Sequence, residues 1–248
     1  MPTKEASPFL KKSLEPAKLM YSNFSFILLV CIAMSLSSFS QAQQKTLSYL
    51  ALGDSYTIGE GVDIPDRYPM QLVQEWNKGA KIPFASPLII AKTGWTVDEL
   101  EAGIQASSTA TEGYDLVTLL IGVNNQYRGR SVESFEVDFE KMLQRAISFA
   151  RGKQERVVVL SIPDWGVTPF AVSKGVDPNQ VANQIDAYNE TKKTICAKNG
   201  VKFINITTEY RLAGALPEGV VADELHPSSL IYKKWMEKLL LEVQKMNF

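Results

Sequence analysis

The sequence predicts an α/β domain, a three-layer α/β/α sandwich built on a five-stranded parallel sheet. Two observations carry that expectation. From residue 46 onward, short apolar runs alternate with segments whose apolar residues recur at helical spacing, the order expected of strands joined by crossover helices. The run at 116–121, Leu-Val-Thr-Leu-Leu-Ile, is almost continuously apolar, as a strand covered on both faces must be. No linker-like stretch divides residues 43–248, so they are expected to form one domain, long enough to bury a sizeable core.

The elements follow in order. A first strand is expected at 47–52 and a helix at 67–78, where Tyr68, Leu72, Val73 and Trp76 make one stripe. A brief second strand covers 87–91. Thr96, with Glu99 three residues on, forms a capping box that opens the next helix. The third strand at 116–121 leads to a helix at 132–150, with Phe135, Phe139, Met142, Leu143 and Ile147 near helical spacing. A fourth strand at 156–162 is followed by a Pro- and Gly-containing loop at 163–178 and a helix ending near Asn199 and Gly200. A fifth strand at 202–206, a long connection at 207–226 and a last helix at 227–246 complete the chain.

The N-terminus reads differently. Lys11, Lys12 and Lys18 precede an uncharged apolar stretch at 24–36, and Ser40 and Ala42 have the spacing a signal peptidase reads before Gln43. Residues 1–42 are therefore expected to be a secretory signal peptide, with Met20 as an alternative start. A retained membrane anchor is the competing reading, and the stretch is short for a span of about 20 residues. The mature protein is expected in the periplasm or outside a bacterial cell, a monomer with no membrane anchor left.

Composition narrows the partners. From residue 43 the chain carries 22 Lys and Arg against 25 Asp and Glu, a formal charge of −3, so nothing draws a nucleic acid. Only Cys196 lies beyond the signal segment, which leaves no internal disulfide. One histidine and one cysteine make no zinc-ligand cluster, and neither a metal nor an organic cofactor is expected.

In open parallel sheets functional residues gather beyond the carboxyl ends of the strands. There the chain places Gly53-Asp54-Ser55-Tyr56, Thr93-Gly94-Trp95-Thr96 and Gly122-Val123-Asn124-Asn125, while Asp223-Glu224-Leu225-His226-Pro227 precedes the last helix. Acyl transfer needs such a set. A serine hydroxyl is a weak nucleophile until a base stands beside it, and imidazole titrates in the right range. A carboxylate fixes the imidazole's tautomer, and a turn over 223–226 brings Asp223 within reach of His226. The amides of Ser55 and Gly94 and the side chain of Asn124 are candidate donors to the oxyanion. Trp95 and Tyr127 are candidates to line a substrate pocket, with packing as the equal alternative. Arg128 and Arg130 are candidates to meet an anionic group, with solvation as the blander reading. There is no Gly-x-Ser-x-Gly elbow, no phosphate-binding loop and no Gly-x-Gly-x-x-Gly.

Gly53-Asp54-Ser55-Tyr56, Gly94, Gly122-Val123-Asn124 and Asp223-x-x-His226-Pro227 resemble the four blocks of the SGNH hydrolases, also called GDSL esterases and lipases. The resemblance spans roughly residues 47–240 in the family's order. It implies a flavodoxin-like sheet of order 2-1-3-4-5, Ser55 as nucleophile, Gly94 and Asn124 in the oxyanion hole, and Asp223 and His226 completing a triad. Two positions depart from the pattern. Tyr56 stands where the family has Leu, and Asn125 where it has an Asp that supports its loop.

The expected function is hydrolysis of carboxylic esters, small acyl esters or lysophospholipid-like molecules, through an acyl-enzyme on Ser55. Two alternatives are an acetylesterase acting on extracellular polysaccharide, whose substrate is a glycan ester, and a non-catalytic binding protein on the same fold. A binder has no need of Ser55, Asp223 and His226 together.

Overall fold

The computed structural model describes residues 45–107 and 113–248; the segment read as a signal peptide lies outside them. Five strands form one parallel sheet: β1 (Tyr49–Gly53), β2 (Leu88–Ala91), β3 (Leu116–Leu120), β4 (Val157–Leu160) and β5 (Lys202–Ile204). Their order is β2-β1-β3-β4-β5, as the resemblance implied. The helices are α1 (Ser55–Ile58), α2 (Tyr68–Asn77), α3 (Val97–Ala106), α4 (Val123–Tyr127), α5 (Val132–Phe149), α6 (Pro169–Ser173), α7 (Pro178–Lys198), α8 (Thr207–Ala213) and α9 (Ser229–Val243). No described helix is long and apolar enough to cross a membrane.

The sheet's composition follows from its burial. Every residue of β1, β3 and β4 is buried, whereas the edge strands β2 and β5 are only partly covered. Thr118, the one polar residue of β3, is fully buried but satisfied: its Oγ1 meets the hydroxyls of Tyr49 at 2.9 Å and Tyr68 at 3.3 Å. Helices α2 and α9 pack against each other on one face of the sheet, and α5 packs against α3 and α7 on the other. Helix α5 buries Phe135, Phe139, Met142, Leu143, Ala146 and Phe149 as a stripe, each large side chain contributing about 1.5–3 kcal/mol of transfer free energy.

The structure redraws several boundaries. Leu47 stands outside β1, joined to Phe84 by an isolated parallel bridge. The supposed connection at 207–226 contains α8, and the loop at 163–178 contains α6. Strand β5 stops at Ile204, because the Asn205 side chain accepts the Thr208 amide at 3.2 Å and turns the chain into α8. The capping box of α3 is present, with Glu99 accepting the Thr96 amide at 2.9 Å. The last helix begins at Ser229, two residues later than expected, with Ser228 as its N-cap.

The strand order reverses direction between β2 and β3 about the first strand, and there the loops after β1 and β3 part to form a crevice. Residues 53–55, 93–95, 122–127 and 163–170 all leave the sheet at this edge.

Candidate active site

The loop after β1 turns at once into α1. Asp54 is its N-cap, with the carboxylate accepting the Tyr56 amide at 3.0 Å, so Ser55 becomes the first helical residue. Asp54 is almost fully buried, and that burial pushes its carboxyl up to about 7 despite the capping bond.

The loop after β2 carries Gly94 at φ +85°, where an L side chain is strained; a Cβ there would meet nothing nearer than Arg128 at 3.8 Å. Glycine is thus needed for conformation, not for space. Arg128 braces this turn, donating to the Gly94 carbonyl at 2.6 Å and to Glu99 at 3.0 Å. Arg130 pairs with Asp98 at 2.5 Å, and that guanidinium holds the Asp98 carboxyl down to about 2. Both arginines are thus engaged with acids of the first turn of α3, and neither lines the cavity described below.

After β3, Gly122 sits at φ +123° and begins α4; a Cβ on it would come within 2.8 Å of Phe135 and 3.0 Å of Ile162. Asn124 donates one N–H of its amide to the Trp95 carbonyl at 2.9 Å. An amide carries two such hydrogens, and Asn124 also lines the cavity described below. Fully buried Asn125 accepts the Val97 amide at 3.1 Å, which fixes its flip, since an N–H can donate only to the oxygen. Its Nδ2 has no partner.

Residues 223–226 form a tight turn. Asp223 Oδ1 accepts the amides of Leu225 and His226, each at 2.9 Å, and Oδ2 lies 2.5 Å from His226 Nδ1. Partial burial raises the Asp223 carboxyl, but the His226 ring and the two amides outweigh it and hold the group below its ordinary value. The carboxylate is therefore an acceptor only, Nδ1 carries the hydrogen, and Nε2 is left as the basic nitrogen. The turn is anchored from behind: Glu224, at φ +61°, has its carbonyl bonded by the Phe170 amide at 3.1 Å, and Tyr210 donates its hydroxyl to the Leu225 carbonyl. Tyr56 packs its ring 5.4 Å from that of His226 and against Tyr210 and Trp235.

These four segments meet around one cavity of about 230 Å³. Ser55, Gly94, Asn124, Tyr127 and His226 all line it. Trp95 does not. Its indole lies over Gly103 of α3, where an added Cβ would strike the ring, so its contribution near the site is the carbonyl that holds Asn124.

The sequence reading missed part of the cavity wall. Trp165 and Phe170 line the cavity with Tyr127 and Leu225, and the rings of Tyr127 and Trp165 pack edge-on at 5.2 Å. Trp165 is locked: its Nε1 donates to Gln126 Oε1 at 2.8 Å, and Gln126 in turn donates to Gln184 at 2.6 Å. The available signal was two aromatic residues in a loop leaving the carboxyl end of a strand. A hydroxyl, an imidazole oriented by a carboxylate and amide donors thus share one largely apolar cavity. Among the described residues, no three His, Cys, Asp or Glu side chains gather as metal ligands.

Comparison with known proteins agrees with this architecture. Residues 51–234 match the family model of the GDSL-like lipase/acylhydrolase family. No curated protein matches the sequence. Among solved structures, the chain is similar to TesA (TM-score 0.62, 18% identity, covering 79% of this chain and 98% of that one). It is similar to a lipase/acylhydrolase from Enterococcus faecalis (0.62, 17%, 80% and 96%). It is also similar to Axe2, an acetylxylan esterase from Geobacillus stearothermophilus (0.63, 15%, 82% and 97%). At these identities the likeness is one of fold.

Proposed function

The chain belongs to the GDSL-like lipase/acylhydrolase family, and from that premise we propose that it hydrolyses small acyl or lysophospholipid-like carboxylic esters through an acyl-enzyme on Ser55. The observation that carries this reading is His226, held by Asp223 at 2.5 Å and lining the same cavity as Ser55.

In the proposed reaction His226 Nε2 takes the Ser55 proton as Oγ attacks the ester carbonyl. The developing oxyanion is met by the amides of Ser55 and Gly94 and the second N–H of Asn124, fixed donors of the kind that contribute about 10²–10³ each in rate. The imidazolium, stabilised by Asp223, gives its proton to the leaving alcohol. Water, activated by the same nitrogen, then releases the acid from Ser55.

The cavity wall supports an apolar acyl group. Beyond the groups given roles it consists of Tyr56, Thr93, Val123, Tyr127, Trp165, Phe170 and Leu225. The Trp165 N–H is taken by Gln126, and the Thr93 hydroxyl is given to Glu60, so a sugar's hydroxyls find few partners. An acetylated polysaccharide is the second reading, favoured by Tyr127, an aromatic residue 54% exposed on which a sugar face can stack.

Purified protein beginning near Gln43 is tested on nitrophenyl esters of two to twelve carbons, on a lysophospholipid and on acetylated xylan. Turnover of the esters or the lysophospholipid supports the first reading and turnover of xylan alone the second, while inertness on all three returns the fold to a binding role. Export is proposed alongside, and the mass of the mature protein in a periplasmic or culture fraction tests it.

A further inference from the structure

Helix α7 carries a lysine in the core. Lys192 has no exposed surface, and its Nζ donates to two backbone carbonyls, Ile121 at 3.0 Å and Leu160 at 2.8 Å. It also stands 5.4 Å from the centre of the Phe139 ring. An ammonium offers three hydrogens, and two carbonyls and an aromatic face accept all three.

The position of these carbonyls is informative. The pairing of β3 with β4 ends at Leu119 and Val159, so Ile121 and Leu160 lie just past the point where the strands part. Asn189, one turn earlier on α7, does the same service beside it. Its side chain accepts the Ile162 amide at 2.7 Å and donates to the Ile162 carbonyl at 3.0 Å. Where the crevice opens, side chains of α7 replace the backbone ladder. Buried carbonyls without such partners force a rearrangement of the backbone that bears them.

Ile121 directly precedes Gly122, whose turn is packed tightly against Phe135 and Ile162 and leads to Asn124. Leu160 precedes the loop that carries Trp165 and Phe170. We propose that Lys192 is a positioning residue for the hydrolytic site: by tying the Ile121 carbonyl to the Leu160 carbonyl, it sets where the Asn124 amide stands relative to Ser55. The inference rests on the reading of Asn124 as an oxyanion donor. Burial pushes Lys192 down to about 7, with Cys196 and Asp54 acting in the other direction. Protonation is not the device, because the neutral amine keeps the two hydrogens that the carbonyls need.

The test is Lys192→Met, which is one atom shorter but fills most of the same space and removes the donors, assayed beside the parent and Ser55→Ala on a short-chain nitrophenyl ester. A misplacement near 1 Å costs up to about 10²-fold in rate. Lys192→Met is therefore expected to be folded by circular dichroism and to lose about 10- to 100-fold in kcat, with KM within about twofold of the parent. Lys192→Gln, which keeps two N–H donors on a shorter arm, should recover part of that loss. A folded Lys192→Met with parental kcat overturns the proposal, and so does a loss confined to KM. If neither variant folds the proposal also falls, since Lys192 then serves the fold and not the site. Full activity in Ser55→Ala would instead remove the reading of Ser55 itself, an outcome distinct from any of these.

Discussion

Asp223 holds His226 at two points: one carboxylate oxygen lies 2.5 Å from the ring Nδ1, and the other accepts the His226 backbone amide at 2.9 Å. A single side chain thereby sets both the position of the histidine in the chain and the tautomer of its ring. Asp223→Asn should keep the turn, through an amide oxygen on the same backbone hydrogens, and lose the ionised acceptor. We expect kcat to fall by about 10²–10⁴-fold. Steady-state kinetics beside a thermal melt check this, and a loss below threefold would contradict the role given to the carboxylate.

Asp54 predicts a pH effect on stability. Its carboxyl titrates at about 7 in the folded chain, because it is buried, and at about 3.9 when unfolded. Between those values the folded state holds more protons, so this group's contribution to stability declines as pH rises through that window. Asp54→Asn keeps the N-cap and abolishes the titration. Melting curves should show the variant gaining on the parent from pH 4 to pH 7, by an amount on the order of 2–4 kcal/mol at the upper end. A difference that stays flat with pH would contradict it.

Asn125 stands at a departure from the family pattern, and its geometry says what it replaces. It accepts the Val97 amide, at the first residue of α3, and its own Nδ2 has no partner. A carboxylate there keeps the acceptor, drops the orphaned donor and faces the positive end of a helix. Asn125→Asp should melt within a few degrees of the parent and keep activity within about threefold. Asn125→Leu leaves the Val97 N–H buried and unpaired and should cost about 1–3 kcal/mol. Denaturant titration of the two variants separates these outcomes.

Trp165 lines the cavity, held by Gln126 and packed on Tyr127. Trp165→Ala should shift preference toward longer acyl chains, raising the ratio of kcat/KM for decanoate over butyrate esters by about tenfold or more. The lost indole should also lower stability by about 3–5 kcal/mol. An unchanged chain-length profile would remove Trp165 from the acyl wall.

The strands and long helices were legible because burial on both faces leaves only apolar residues at 49–53 and 116–120, apart from one hydrogen-bonded threonine. The loops after β1, β2 and β3 were legible because each carries a short motif whose residue types suit one chemistry. The aromatic wall was not, since Trp165 and Phe170 have no periodicity and face the cavity only because Gln126 and Glu224, distant in sequence, hold their loop. The same physics left Trp95 open between pocket and packing: beside a motif, an aromatic residue reads either way until the glycine at 103 gives its ring a place to lie. Lys192 was invisible for a related reason, its partners being backbone carbonyls that no sequence displays.

The most direct test of the account is reaction of the protein from Gln43 onward with a fluorophosphonate, followed by mass spectrometry of the tryptic peptides. The account predicts one adduct per chain, on Ser55, with loss of ester hydrolysis in step with labelling, and no adduct in Ser55→Ala or folded His226→Ala. Hydrolysis that persists after full labelling, or a Ser55→Ala variant that labels and turns over like the parent, would contradict it.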